Sequence, residues 1–125
     1  MDEEGLTEHK KFAITQGFDA YGQLAWGTAK YPGKGTGNLY YPALGLGGEA
    51  GEVLEKIKKL LRDMDGKPTD EFRAALTKEL GDVLWYINAL CAEAGLQIGD
   101  VAVANIEKLF DRRARGVLHG SGDNR

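Results

Sequence analysis

Gly45-Leu46-Gly47-Gly48-Glu49-Ala50-Gly51-Glu52, and then, after a gap of 26 residues, Glu79-Leu80-Gly81-Asp82, decide how this chain is read. Each string carries two carboxylates spaced i, i+3. On a helix of about 3.6 residues per turn, that spacing sets both acids of a pair on one side. Each string therefore reads as half of a metal site.

The segment between the pairs holds a break. Asp65-Gly66-Lys67-Pro68 ends one helical pattern, and Thr69 is a good N-cap for the next. Glu52 lies 13 residues before Asp65 and Glu79 lies 11 after Pro68, so at about 1.5 Å per residue the two pairs come level in an antiparallel hairpin. Steps of about 100° per residue give the facing. In the first helix Val53, Leu54, Ile57, Leu60 and Leu61 form an apolar stripe, with Glu49, Glu52, Lys56 and Lys59 along its shoulder. In the second, Phe72, Leu76, Leu80, Val83, Leu84, Ile87, Leu90 and Cys91 form the stripe, and Glu79, Asp82 and Tyr86 take the shoulder.

Four carboxylates converging from two helices repel one another unless they are protonated or neutralised. An oxygen-only donor set of that density suits a hard cation, Mg²⁺ or Mn²⁺. A single E-x-x-E is usually an ordinary solvated helix face, but two level, matching pairs argue for the metal. Gly47, Gly48 and Gly51 add to this, because glycine within a helix costs about 1 kcal/mol relative to alanine. Close approach of a ligand or of another helix would account for them.

At 125 residues the chain is expected to form one domain, residues 1–115, followed by a tail over 116–125. Its apolar fraction of 42% and charged fraction of 28% are those of a globular protein. The acidic start, Met1-Asp2-Glu3-Glu4, is unlike a signal peptide and no apolar run approaches a membrane span, so a cytoplasmic location without a membrane partner is the default expectation. A net charge of −3 argues against nucleic-acid polymers as partners while leaving isolated nucleotides open. The single cysteine, Cys91, lies on an apolar stripe without a disulfide partner and is expected in the core.

Helical periodicity predicts an all-α, four-helix-bundle-like fold. The helices are expected at about His9–Ala29 with Thr7 as cap, Pro42–Asp63, Thr69–Ala94 stopped by Gly95, and Ile98–Arg113. Residues 31–41, rich in glycine and aromatics, are expected to form a mobile loop leading into the metal helix. Trp85 falls nearly opposite the apolar stripe of its helix and is expected at an oligomer interface. On the last helix Asn105, Lys108 and Arg112 follow i, i+3, i+7 spacing, a face that can grip phosphates. Taken alone it would be a basic C-terminal turn favoured by the helix dipole. Beside an acidic metal site, the combination is a common means of binding polyphosphates.

In the strings GLGGEAGEVLEKIKK and LTKELGDVLWYINAL the chain resembles the MazG-like members of the all-α nucleoside triphosphate pyrophosphohydrolase superfamily, whose pattern is E-x-x-E, a variable gap, then E-x-x-D. The resemblance covers about residues 9–115. It implies that Glu49, Glu52, Glu79 and Asp82 bind Mg²⁺, with Mn²⁺ a possible substitute. It implies cleavage of a nucleoside triphosphate to the monophosphate and pyrophosphate, deoxynucleotides favoured, as nucleotide-pool housecleaning. A homodimer or homotetramer is implied as well.

Residue by residue, Tyr86 matches a position where relatives set an aromatic against the nucleotide, and Lys108 with Arg112 matches a phosphate-binding K-x-x-x-R. Trp26 and Asn38 look like the Trp and Asn that contact the nucleotide in smaller relatives acting on deoxycytidine nucleotides, although the glycine-rich insertion between them departs from those relatives. Glu52 is the ligand that could also act as general base, and Lys59 joins the cations that would offset the leaving pyrophosphate's charge. The narrower alternatives are a dUTP or dCTP pyrophosphatase or a phosphoribosyl-ATP pyrophosphohydrolase. Another is a non-catalytic helical protein that binds metal or nucleotide. A di-iron carboxylate bundle is discounted, because His9 and His119 are the only histidines and neither stands three residues after a glutamate.

Overall fold

A computed structural model describes residues 5–125, and the acidic Met1-Asp2-Glu3-Glu4 lies outside the described residues. The fold is all-α. Its four helices are α1 (Glu8–Gly27), α2 (Tyr40–Met64), α3 (Asp70–Glu93) and α4 (Ile98–Ala114), with no strand among the described residues. No single helix is long and apolar enough to cross a membrane.

The helix ends follow local chemistry. Thr7 Oγ1 accepts from Lys10 N at 3.1 Å at the start of α1, and Thr69 Oγ1 accepts from Phe72 N at 3.0 Å at the start of α3. In each case a hydroxyl satisfies a first-turn N–H that has no partner within the helix. Asp65 closes α2 with left-handed backbone at φ 56°, and Gly66 follows at φ 71° with its N–H on Leu60 O at 3.1 Å. These two residues turn the chain back, so that α2 and α3 pack along one another as the expected hairpin. Pro42, in the first turn of α2, is fully buried, and its missing N–H costs nothing there.

The chain forms two compact units. The unit Ala25–Gly95 holds the end of α1, the loop after it, and the α2–α3 hairpin. Its core gathers Ala29, Tyr31 and Ala89, with Trp26 and Trp85 packed against them. Trp85 is thus a packed residue of its own chain rather than a lone surface tryptophan. The segment after α1 covers it, its Nε1 donates to Thr28 Oγ1 at 2.8 Å, and its ring meets Tyr31 edge-on. Helical periodicity could not show this, because the cover comes from a segment that is not helical.

Cys91 is buried, and burial pushes its thiol pKa up. The apolar stripes are covered only in part, since Leu54, Leu61 and Leu80 stay 70%, 66% and 49% exposed. A two-helix hairpin buries the side of each stripe that faces its partner and leaves the other side uncovered.

The second unit comprises the described part of Met1–Leu24 together with Leu96–Arg125. Here α4 begins against α1 at Gly99, where a Cβ would lie 2.6 Å from Asp19 Oδ1 and 2.9 Å from Thr15 O. Asp19 Oδ1 accepts from Gly99 N at 2.8 Å, which places a carboxylate on the positive end of α4. Lys11 pairs with Glu107 at 2.9 Å across the same two helices. Residues 116–125 fold back as a series of bends and turns, with Val117 N on Arg112 O at 2.8 Å and Arg125 Nη2 on Leu118 O at 3.1 Å.

Candidate active site

The hairpin brings the two acid pairs level, as helical rise predicts. One carboxylate oxygen each from Glu49, Glu79 and Asp82 lies within 4.8 Å of the others. Glu49 and Glu79 are half-buried and Asp82 is exposed. Among the described residues, none of the three accepts a hydrogen bond or forms an ion pair. The Glu49 carboxyl is pushed above the ordinary glutamate pKa, first by burial and then by the charges of Asp82, Glu79 and Glu52. Glu52, one helical turn further on, is exposed and stands outside the 4.8 Å group, although its charge still reaches Glu49.

An oxygen-only donor set with uncompensated negative charge fits a hard divalent cation better than a soft one. The glycines expected to serve close approach divide into two kinds. At Gly47, Gly48, Gly51 and Gly81 an added Cβ would meet nothing within 4 Å, so packing within the chain does not require them. Gly45 is where packing does, because a Cβ there would lie 2.1 Å from Tyr86 Cε1.

Tyr86 stands one turn beyond Asp82 on α3, and its pKa is raised mainly by burial, then by Tyr41, Glu49 and Asp82. Its ring meets Trp85 edge-on at 5.0 Å between centroids. Of the weaker candidates, Trp26 is half-buried with the Lys34 ammonium 4.7 Å above its ring. The Asn38 amide serves the loop itself: Oδ1 accepts from Tyr40 N at 3.0 Å, and Nδ2 donates to Pro32 O at 3.4 Å. Lys59 is exposed on α2.

Asn105, Lys108 and Arg112 belong to α4 and thus to the other unit. Arg112 is only 4% exposed and donates through Nη2 to Asp123 O at 2.7 Å and Gly122 O at 3.4 Å. The Asp123 carboxylate lies 3.6 Å from Arg112 Nη2 and 3.5 Å from Lys108 Nζ. In this conformation the cations read as a phosphate grip face the side-chain carboxylate of Asp123 in the chain's own tail. Asn105 is exposed.

The model of the MazG nucleotide pyrophosphohydrolase domain matches residues 42–117, a span that takes in both acid pairs and all of α3 and α4. The chain belongs to the MazG nucleotide pyrophosphohydrolase family. One similar protein is the Gene 37 protein of Mycobacterium phage L5, 47% identical over 111 residues that cover 86% of this chain and 97% of that protein. No solved structure matches the chain. MazG membership makes a nucleotide the expected class of substrate and gives the acid cluster a chemical setting.

Sequence reasoning passed over Tyr31, Tyr41 and Glu93. Tyr31 and Tyr41 stack in parallel at 4.6 Å, and Glu93 holds the loop that carries Tyr31. The available signal was Gly33-x-Gly35-x-Gly37, an alternation that marks backbone at positive φ, the observed values being 77°, 80° and 80°. Glu93 itself carries no periodic mark, being one acid among small residues at a helix end.

Proposed function

We propose that this MazG protein is a Mg²⁺-dependent nucleoside triphosphate pyrophosphohydrolase that releases pyrophosphate and leaves the nucleoside monophosphate, with deoxynucleotides favoured. The observation that carries this reading is the convergence of Glu49, Glu79 and Asp82 with no counter-charge among the described residues. Glu49, Glu79 and Asp82 would hold the ion, with Glu52 at the edge of the set. Bound there, Mg²⁺ would supply Lewis-acid polarisation of the phosphoryl oxygens and neutralise their charge.

In hydrolysis, a water oxygen bonds to the α-phosphorus as the bond from that phosphorus to the pyrophosphate oxygen breaks, and the water's proton passes to a carboxylate. Glu52 suits that last role because it is exposed and stands apart from the three grouped acids. Tyr86 is positioned for the nucleoside, with Trp26 and Asn38 near the loop as further candidates. Lys59, Asn105, Lys108 and Arg112 would meet the phosphates, and for Lys108 and Arg112 this requires Asp123 to give way. The exposed apolar residues Leu54 and Leu61 on α2 support assembly with further copies of the chain. A cytoplasmic setting agrees with a free nucleotide substrate.

The test is pyrophosphate release from a panel of canonical and damaged NTPs and dNTPs, with Mg²⁺ and with EDTA. Metal-dependent release from one or several is expected, and the pattern separates a broad enzyme from a dUTP, dCTP or phosphoribosyl-ATP pyrophosphohydrolase. Silence across the panel would sink the catalytic reading in favour of a binding protein.

A further inference from the structure

Glu93, in the last turn of α3, is a buried carboxylate, 7% exposed, with no ion-pair partner among the described residues. A charge buried in that way is costly unless it is fully hydrogen-bonded. Four donors meet it, all from the loop after α1. Tyr31 Oη and Gly35 N donate to Oε2, the latter at 2.9 Å, while Gly37 N and Asn38 N donate to Oε1 at 2.9 and 3.2 Å. The positive φ of Gly35 and Gly37 turns successive amides inward, making the loop an anion-binding nest around an acid of its own chain. The Glu93 carboxyl is accordingly held below the ordinary glutamate pKa, chiefly by the Tyr31 hydroxyl and then by the Gly35 amide. The loop expected to be mobile is tied at one point.

From that point ring contacts run to Tyr86, one turn beyond Asp82 on α3. Tyr31, its hydroxyl fixed by Glu93, stacks on Tyr41 with the rings 4° from parallel. Trp85, which Tyr31 meets edge-on, in turn meets Tyr86 edge-on at 5.0 Å between centroids, and the Tyr86 ring is seated on Gly45. The chain's two tryptophans both meet Tyr31 edge-on, at 6.3 Å for Trp26 and 6.5 Å for Trp85.

We propose that Glu93 is a positioning residue for the nucleoside end of the substrate: by gathering the loop's donors it sets Tyr31 against Tyr41 and Trp85, and through Trp85 the orientation of Tyr86, one turn beyond Asp82. The proposal rests on the reading of the site as a nucleotide site. The four hydrogen bonds of Glu93 all go to the loop and none to the three grouped acids, so its effect is expected on the nucleoside and not on the metal or the triphosphate.

The test is equilibrium binding of the α,β-imido analogues of the four canonical dNTPs and, separately, of tripolyphosphate. Both are measured with Mn²⁺, for the wild type, Glu93→Gln and Tyr31→Phe. Glutamine keeps the size of Glu93 but turns an NH₂ toward one pair of donors. The best-bound analogue should therefore weaken about tenfold or more in Glu93→Gln. Tyr31→Phe keeps the stack, loses one donor and should weaken it less. Tripolyphosphate should bind all three proteins alike, and tryptophan emission should change in Glu93→Gln without loss of helical circular dichroism.

Equal weakening of tripolyphosphate and nucleotide, unchanged nucleotide binding in both variants, or a wild type that binds no analogue would each overturn the proposal. Because the analogues are not hydrolysed, a wild type that binds them yet releases no pyrophosphate from dNTPs would refute the catalytic reading alone.

Discussion

The two charged regions of this MazG protein are finished to different degrees. On the α2–α3 hairpin, Glu49, Glu79 and Asp82 converge with nothing among the described residues to offset them, and the half-buried Glu49 has a raised pKa as the cost. On α4, Lys108 and Arg112 meet Asp123 of the C-terminal tail, and Arg112 is further held by two tail carbonyls. Uncompensated acids call for a cation from outside the chain. Compensated bases oblige any outside anion to compete with the tail. The same sequence-level observation, a run of like charges on a helix face, thus has two physical outcomes, decided by what the rest of the chain brings to it.

The largest effects should come from the acids. Glu79→Gln or Asp82→Asn should lower kcat/KM for pyrophosphate release by about 10²–10³ or more while helical circular dichroism is unchanged. Full turnover in both variants would erase the contrast between the regions. Glu52→Gln should also abolish turnover if Glu52 takes the proton, and since it stands outside the grouped three it should bind Mn²⁺ more nearly like the wild type.

Thermal melting gives the next effect. Saturating Mg²⁺ should stabilise the wild type by about 2.7 kcal/mol at a hundredfold excess over Kd, and should leave Asp82→Asn nearly unmoved. Without metal, Glu49→Gln should melt above the wild type, because the desolvated and repelled carboxylate is gone.

The cationic region should respond more weakly. Asp123→Asn removes an exposed competitor and should lower KM several-fold at most, in keeping with the roughly 0–1 kcal/mol of an exposed ion pair. Lys108→Ala should raise KM, and no change from either substitution would remove α4 from the substrate's path.

Glu93 supplies a pH test. Its folded-state pKa is lowered, so it contributes stability above the ordinary glutamate range and loses it as pH falls through the lowered value. The wild type should therefore lose more stability than Glu93→Gln on acidification, with tryptophan emission changing over the same pH window. Thr69→Ala should cost about 1 kcal/mol of stability and leave turnover per folded molecule unchanged, since it removes only a cap.

The hairpin and its acid pairs were legible because each depends on local rules: 3.6-residue periodicity, the Asp65-Gly66 stop and the Thr69 cap. Expected and observed helix ends agree to within two residues for all four helices. What the sequence concealed lies in non-helical segments that reach far along the chain. Glu93 takes its donors from residues 55 to 62 positions earlier, Trp85 is bonded to Thr28, and Asp123 doubles back onto α4. None of these contacts has a period, and each depends on loop backbone that only the folded chain sets.

The most direct measurement is a Mn²⁺ titration, by electron paramagnetic resonance or calorimetry, of the wild type beside Glu79→Gln and Asp82→Asn. A saturable site in the wild type that is lost or strongly weakened in both variants is the result expected. Equal binding by all three proteins, or none by the wild type, would contradict the claim that the hairpin's converging acids hold a divalent cation.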